Sequence, residues 1–188
     1  MTHKKIAIPI LALTVMIPAM FFVFVDSNPE VQLQEKIVTS VSFDEDAMDL
    51  SSLTERSELV IEGKILTSSV FTKKVHNDQA FPDIYTKHQV QIVELLKGET
   101  DKKVISVVVH GGEFENRISK TEAVSIKDMD SVILFLEENG AHYSQNSYNP
   151  IAPIQGVFLV EDSIVKSGAF PEMDIADLKQ AINLVQKN

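Results

Sequence analysis

Ile84-Tyr85-Thr86-Lys87-His88-Gln89-Val90-Gln91-Ile92-Val93-Glu94-Leu95-Leu96-Lys97-Gly98 and, after a polar turn, Val104-Ile105-Ser106-Val107-Val108-Val109-His110-Gly111-Gly112-Glu113 decide the fold. Ile84, Thr86, His88, Val90 and Ile92 share one face at period two, the repeat of a strand. Val93 and Leu95 carry the apolar series on with the opposite parity. This phase slip predicts a β-bulge at Ile92-Val93, which restores one inward face and sharpens the twist of a strand that curls around a small barrel. The second segment is apolar on both parities and is expected to be an interior strand with neither face wholly wet. Gly111-Gly112 is expected to end it at a barrel corner, where positive φ is sterically free for glycine.

Working outward, Leu59-Val60-Ile61-Glu62-Gly63-Lys64-Ile65-Leu66 reads as a strand with a bend or bulge at Gly63, extended by Val70-Phe71-Thr72. Ahead of it, Ser52 and Glu55 have the spacing of a capping box and predict a short helix over 52–58. Residues 115–128 read as a polar loop with Ala123-Val124-Ser125-Ile126 as a strand candidate inside it. Ser131-Val132-Ile133-Leu134-Phe135-Leu136 is a buried strand closed by the turn pair Asn139-Gly140, with 141–144 as its hairpin mate. Residues 145–155 read as an irregular loop, and 156–160 with 164–166 as a final hairpin. Ile175, Leu178, Ile182 and Val185 then fall on one helical face behind Asp174, a good N-cap. About six strands with turn signals at this spacing imply a small all-β barrel or sandwich.

The chain has 188 residues, 44% of them apolar, and a formal charge of −10. Seventeen Lys and Arg against 27 Asp and Glu leave no basic footprint for phosphates, so a nucleic-acid partner is not expected. Cysteine is absent, which excludes disulfides and acylation through a cysteine. His3, Lys4 and Lys5 precede an uncharged apolar run from Ile6 to Val25, long enough at ~1.5 Å per helical residue to cross a bilayer. Residues 1–25 are therefore expected to be a signal peptide or a signal anchor, that is, an N-terminal membrane helix. The lysines keep the N-terminus cytoplasmic, so the remainder lies outside, membrane-tethered through residues 6–25 or secreted if the segment is cleaved. Residues 26–49 read as an acidic linker that adds one edge strand at 36–41. Its Asp44-Glu45-Asp46 cluster lacks the glycine and distal glutamate of a calcium loop. The folded domain is expected over 50–188.

Among polar candidates, His76, His88, His110, Glu113 and His142 have the chemistry of an open zinc site, with His88, His110 and Glu113 as the sharpest metal set. No His-x-His or His-Glu-x-x-His spacing accompanies them, so no cofactor is expected. His110, Gly111, Gly112 and Glu113 form a candidate binding rim, although the phosphate-loop patterns are missing. No Gly-x-Ser-x-Gly marks a nucleophile. Tyr143, Tyr148 and Phe158 read as packing residues.

Ser57 to Ile65, Val90 to Gly98 closing in Leu96-Lys97-Gly98, Val109 to Glu113 and Leu134-Phe135-Leu136 together resemble a broad group of exported, largely uncharacterised proteins of Bacillus-type bacteria over about residues 50–165. The series is also similar to the OB-fold barrel of netrin modules and tissue inhibitors of metalloproteinases. That resemblance implies a small, partly open OB-like barrel with a short N-terminal helix and a C-terminal packing helix. Those inhibitors act through an N-terminal cysteine, which this chain lacks, so their mechanism is not carried over. The expectation is a non-enzymatic extracytoplasmic module binding an envelope protein, peptide or glycan. The alternative is a metal-dependent envelope enzyme built on His110 and Glu113.

Overall fold

The computed structural model describes residues 36–41, 48–75, 77, 80–138 and 146–187. The expected leader 1–25, most of the linker, the Asn139-Gly140 turn with its mate 141–144, and His76 and His142 lie outside the described residues. The elements run β1 (Ile37–Val41), α1 (Leu50–Arg56), β2 (Leu59–Lys73), β3 (Asp83–Lys97), β4 (Val104–His110), β5 (Gly112–Phe114) and β6 (Arg117–Thr121). They continue with β7 (Ser131–Glu138), β8 (Ser147–Pro150), β9 (Val157–Glu161), β10 (Ile164–Lys166), β11 (Met173–Asp174) and α2 (Ile175–Val185).

Eight strands form one sheet in the order β11-β10-β9-β7-β2-β3-β4-β8, and an extra pairing of β7 with β8 brings it partly into a ring. Around that ring every pairing is antiparallel except β4 with β8, where Ser106 and Val107 run parallel to Ser147 and Tyr148. The curl is produced where the sequence slips phase. Glu62 pairs with Glu94 and Gly63 with Ile92, so Val93 is the extra residue of a bulge on β3, as its parity change predicts. Further irregularities leave Leu66 unpaired on β2 and Leu96 on β3. Gly63 is required at this bend because a Cβ there would stand 2.6 Å from Val90 Cγ1.

Two apolar clusters share the ring wall. Ile61, Ile65, Val90, Ile105, Val107, Val132 and Leu134 fill its inside, while Val60, Ile133, Phe135 and Phe158 meet Leu53 of α1 and Leu178 and Ile182 of α2 on its outside. β7 faces both, with even positions inward and odd ones outward, which is why its sequence is apolar on both parities. Asp174 caps α2 as expected, its Oδ1 accepting from the Ala176 N–H at 2.7 Å.

Three expectations are corrected. α1 starts at Leu50, because Asp49 takes the N-cap role and accepts from the Ser52 N–H at 2.7 Å, leaving Ser52 inside the first turn. The reading of 115–128 as a loop misses the β5–β6 hairpin, which turns at Glu115 with φ +54°, and 123–126 is not a strand. The 145–155 segment contains β8, whose Ser-Tyr-Asn-Pro sequence has no strand periodicity and is held by ladder bonds to β4 and β7.

The Leu96-Lys97-Gly98 motif has a local explanation. Leu96 packs on the outer cluster, and Lys97 Nζ donates to Thr54 O, Glu55 O and Ser57 O at 2.6, 2.9 and 2.7 Å, satisfying carbonyls at the end of α1. Gly98 has φ +88°, and a Cβ on it would meet the Glu58 carbonyl oxygen.

Candidate functional site

At one end of the ring β5, β6 and the 122–126 segment cover a cavity of about 350 Å³. Thr86, His88, Val109 and His110 line it from β3 and β4, Gly111 and Gly112 from the corner, Ile118, Ser119, Lys120, Thr121, Ala123, Val124, Ser125 and Ile126 from the cover, and Pro153 and Val157 from the chain entering β9. The lining is mostly aliphatic and hydroxyl-bearing, with the buried imidazole of His88 and with His110 and the exposed Lys120 among its polar residues, the composition of a small-ligand seat.

His88 is 2% exposed and stands on β3 between its cross-strand partners Ser68 and Val107. Its Nδ1 lies 2.8 Å from Ser68 Oγ, and that hydroxyl donates to Asp128 Oδ1 at 2.5 Å. A hydroxyl has one proton, so with it given to Asp128 the contact to the ring is filled by Nδ1–H, and Nε2, the distal ring atom, is the acceptor. Burial in apolar surroundings pushes the His88 pKa down to about 4, against the opposing pull of Asp128 and Asp130. The ring is therefore neutral at pH 7. In a catalytic triad the imidazole stands between serine and carboxylate and takes the serine proton; here the serine stands in the middle and its proton goes to the carboxylate. The hydrogen-bonded chain Asp128-Ser68-His88 orients the ring.

His110 pairs with Tyr85, and so sits on the opposite face of the sheet from His88. Its ring meets the Tyr85 ring edge-on, with centroids 4.8 Å apart, and Tyr85 stacks on Phe71 at 5.6 Å. Burial lowers the His110 pKa, opposed by Asp83. Glu113 is exposed and paired with Lys36 at 2.5 Å. His88 and His110 both line the cavity, but they stand on opposite faces of the sheet and Glu113 does not join them, so the expected set of three is not brought together, and no group of three or more His, Cys, Asp or Glu stands close enough to hold a metal among the described residues.

Within the expected rim, His110, Gly111 and Gly112 line the cavity and Glu113 does not, the two glycines having φ of +104° and +133°. The Gly111 amide donates to Ile84 O and its carbonyl accepts from Thr86 Oγ1, both at 2.8 Å, so that backbone is committed to the corner and not offered to an anion. A Cβ on Gly112 would lie 2.6 Å from Thr86 Oγ1. Sequence reasoning missed Ser68 and Asp128. The Leu66 bulge sets Ser68 opposite His88, and the loop ahead of β7 brings in Asp128, neither of which has a sequence signal.

No protein-family model matches the chain, and no curated protein matches it.

Proposed function

We propose that this chain is an extracytoplasmic, non-enzymatic binding module on an OB-like barrel, tethered by its N-terminal segment, with its ligand seat in the cavity beside His88. Three features support the barrel reading: five strands in a ring, a single parallel pair, and bulges that curl the two longest strands. The observation that carries the binding reading is a neutral, oriented imidazole on the wall of a 350 Å³ aliphatic and hydroxyl-lined cavity. Such a seat fits an uncharged group with a hydrogen-bond donor and an apolar body, as on an envelope peptide or glycan, because desolvating a full charge there is costly.

The test titrates the full chain in detergent with a panel of short peptides and cell-wall glycan fragments, followed by thermal shift and by mass analysis of the probes. Saturable binding by one class, unchanged probe mass, and loss of binding in Ala123→Phe, which fills the cavity from its cover, are expected. Chemical conversion of a probe overturns the non-enzymatic reading. So does stoichiometric zinc that disappears in His110→Ala. The tether is tested by the mass of the mature protein: a chain beginning near Asn28 overturns the anchor and leaves a secreted module.

A further inference from the structure

β1 is attached in an unusual way. Residues 36–40 are all exposed, Ile37 at 49% and Val38 at 52%, and none of these five belongs to either apolar cluster. The strand is held by a five-residue parallel ladder to β6, beginning with the Ile37 N–H to Asn116 O at 2.9 Å, by Thr39 Oγ1 donating to Ile118 O, and by the Lys36–Glu113 pair. That pair joins side chains that are about half exposed, and solvent-screened pairs of this kind contribute little.

β6 is built differently. Arg117 donates to Pro82 O at 2.8 Å and lies over the Phe81 ring, Ser119 is 7% exposed, and β5 pairs with the other edge. β6 is thus anchored by contacts that do not involve β1. Between the two strands and the barrel is a second hollow of about 260 Å³, which the alternate residues Ile37 and Thr39 line from one side and Phe81, Asp83, Ile84 and Arg117 from the other. Phe81 remains 65% exposed there, so the present occupant does not cover it.

We infer that the edge of β6 is a strand-acceptor site for an extended peptide of a partner protein, which enters parallel to β6 and displaces β1, the chain's own imitation of that ligand. Backbone ladder bonds supply the attachment, and the hollow reads every second side chain, as in other cases of strand addition. The inward residues of the partner are aliphatic at both positions, since the hollow that Ile37 and Thr39 line also holds Ile84 and a Phe81 ring left largely uncovered. This inference does not depend on the cavity beside His88.

The probe is a fluorescent peptide with the sequence of residues 36–41, Lys-Ile-Val-Thr-Ser-Val, and a second version with Ile in place of its Thr. In a parallel ladder alternate N–H groups face the partner, so Thr39→Pro removes a bond to β6 while Val38→Pro, whose N–H faces away, does not. Anisotropy titrations of the full chain in detergent are expected to show binding to Thr39→Pro at least about tenfold tighter than to the native chain or Val38→Pro, because β1 competes at high effective concentration. The Ile version binds tighter than the parent peptide. Equal affinity for Thr39→Pro and native protein, or no binding to either, overturns the proposal. A native dimer that Thr39→Pro abolishes also overturns it, by giving the edge to a second copy.

Discussion

At the scale of single residues, His88 and Lys97 show what the sequence hides. Both are polar side chains in apolar strands, and only their partners separate a site residue from a structural one. His88 has its folded pKa depressed to about 4 from an ordinary value of 6.5. Between those two values the unfolded chain binds the proton and the folded chain does not, so unfolding becomes easier as pH falls through that window. The loss attributable to this ring is about 3 kcal/mol, complete near pH 4 and absent above pH 6.5. His88→Asn keeps a donor where Nδ1 stands and cannot titrate. Urea titrations at pH 7 and pH 4 should therefore show a smaller drop for the variant than for the native protein, and an equal drop would remove the depressed pKa. Lys97 is a cap, legible in the sequence only as part of a short motif. Removing its ammonium in Lys97→Met leaves three carbonyls at the end of α1 without their donor, at a cost of about 2 kcal/mol in unfolding free energy, read as a lowered denaturant midpoint. Lys97→Arg, with a different donor geometry, should recover only part of it.

Among the elements, periodicity found those that bury a face and missed those held by backbone alone. β2, β3, β4, β7, the β9–β10 hairpin and α2 carry alternating or helical apolar positions, and their existence followed from them. β5, β6 and β8 lie where polar residues dominate, and their ladders form because neighbouring edges are presented to them. The bulge predicted at Ile92-Val93 was visible because it reverses a long apolar alternation. That bulge places Glu62 directly opposite Glu94, a like-charge pair in the middle of a sheet. α2 resolves the conflict: Lys179 Nζ reaches Glu62 Oε2 at 2.5 Å and Glu94 Oε2 at 2.7 Å. Burial works against the ammonium, yet the two carboxylates outweigh it and raise the Lys179 pKa. Lys179→Met should destabilise the protein by about 1 kcal/mol through the uncompensated carboxylates, and by less in 1 M salt, where exposed charges are screened. A loss that does not change with salt would assign the effect to packing of the lysine stem.

For the whole molecule, the sequence makes the class of architecture readable, mainly β with a helix before and a helix after, because the apolar pattern changes from period two to helical spacing near Asp174. The closure of the ring through β8 was not readable, since a four-residue polar strand carries the contacts that bring β4 and β7 together. The cavity beside His88 was hidden for the same reason: its cover is the β5–β6 hairpin that reads as a loop. One consequence concerns how the molecule unfolds. Leu134 and Phe135 are adjacent on β7, both fully buried, one in the inner cluster and the other in the outer. A strand that forms the wall of both cores cannot lose one face while the other stays packed, so the ring and the helical layer should melt together. Leu134→Ala and Phe135→Ala are each expected to cost about 3–4 kcal/mol. In both variants hydrogen exchange of the β3–β4 amides and of the α2 amides should report the same lowered opening energy. Protection of β3–β4 that survives Phe135→Ala while α2 exchanges freely would show that the outer layer is a separate cooperative unit, with the ring stable on its inner core alone.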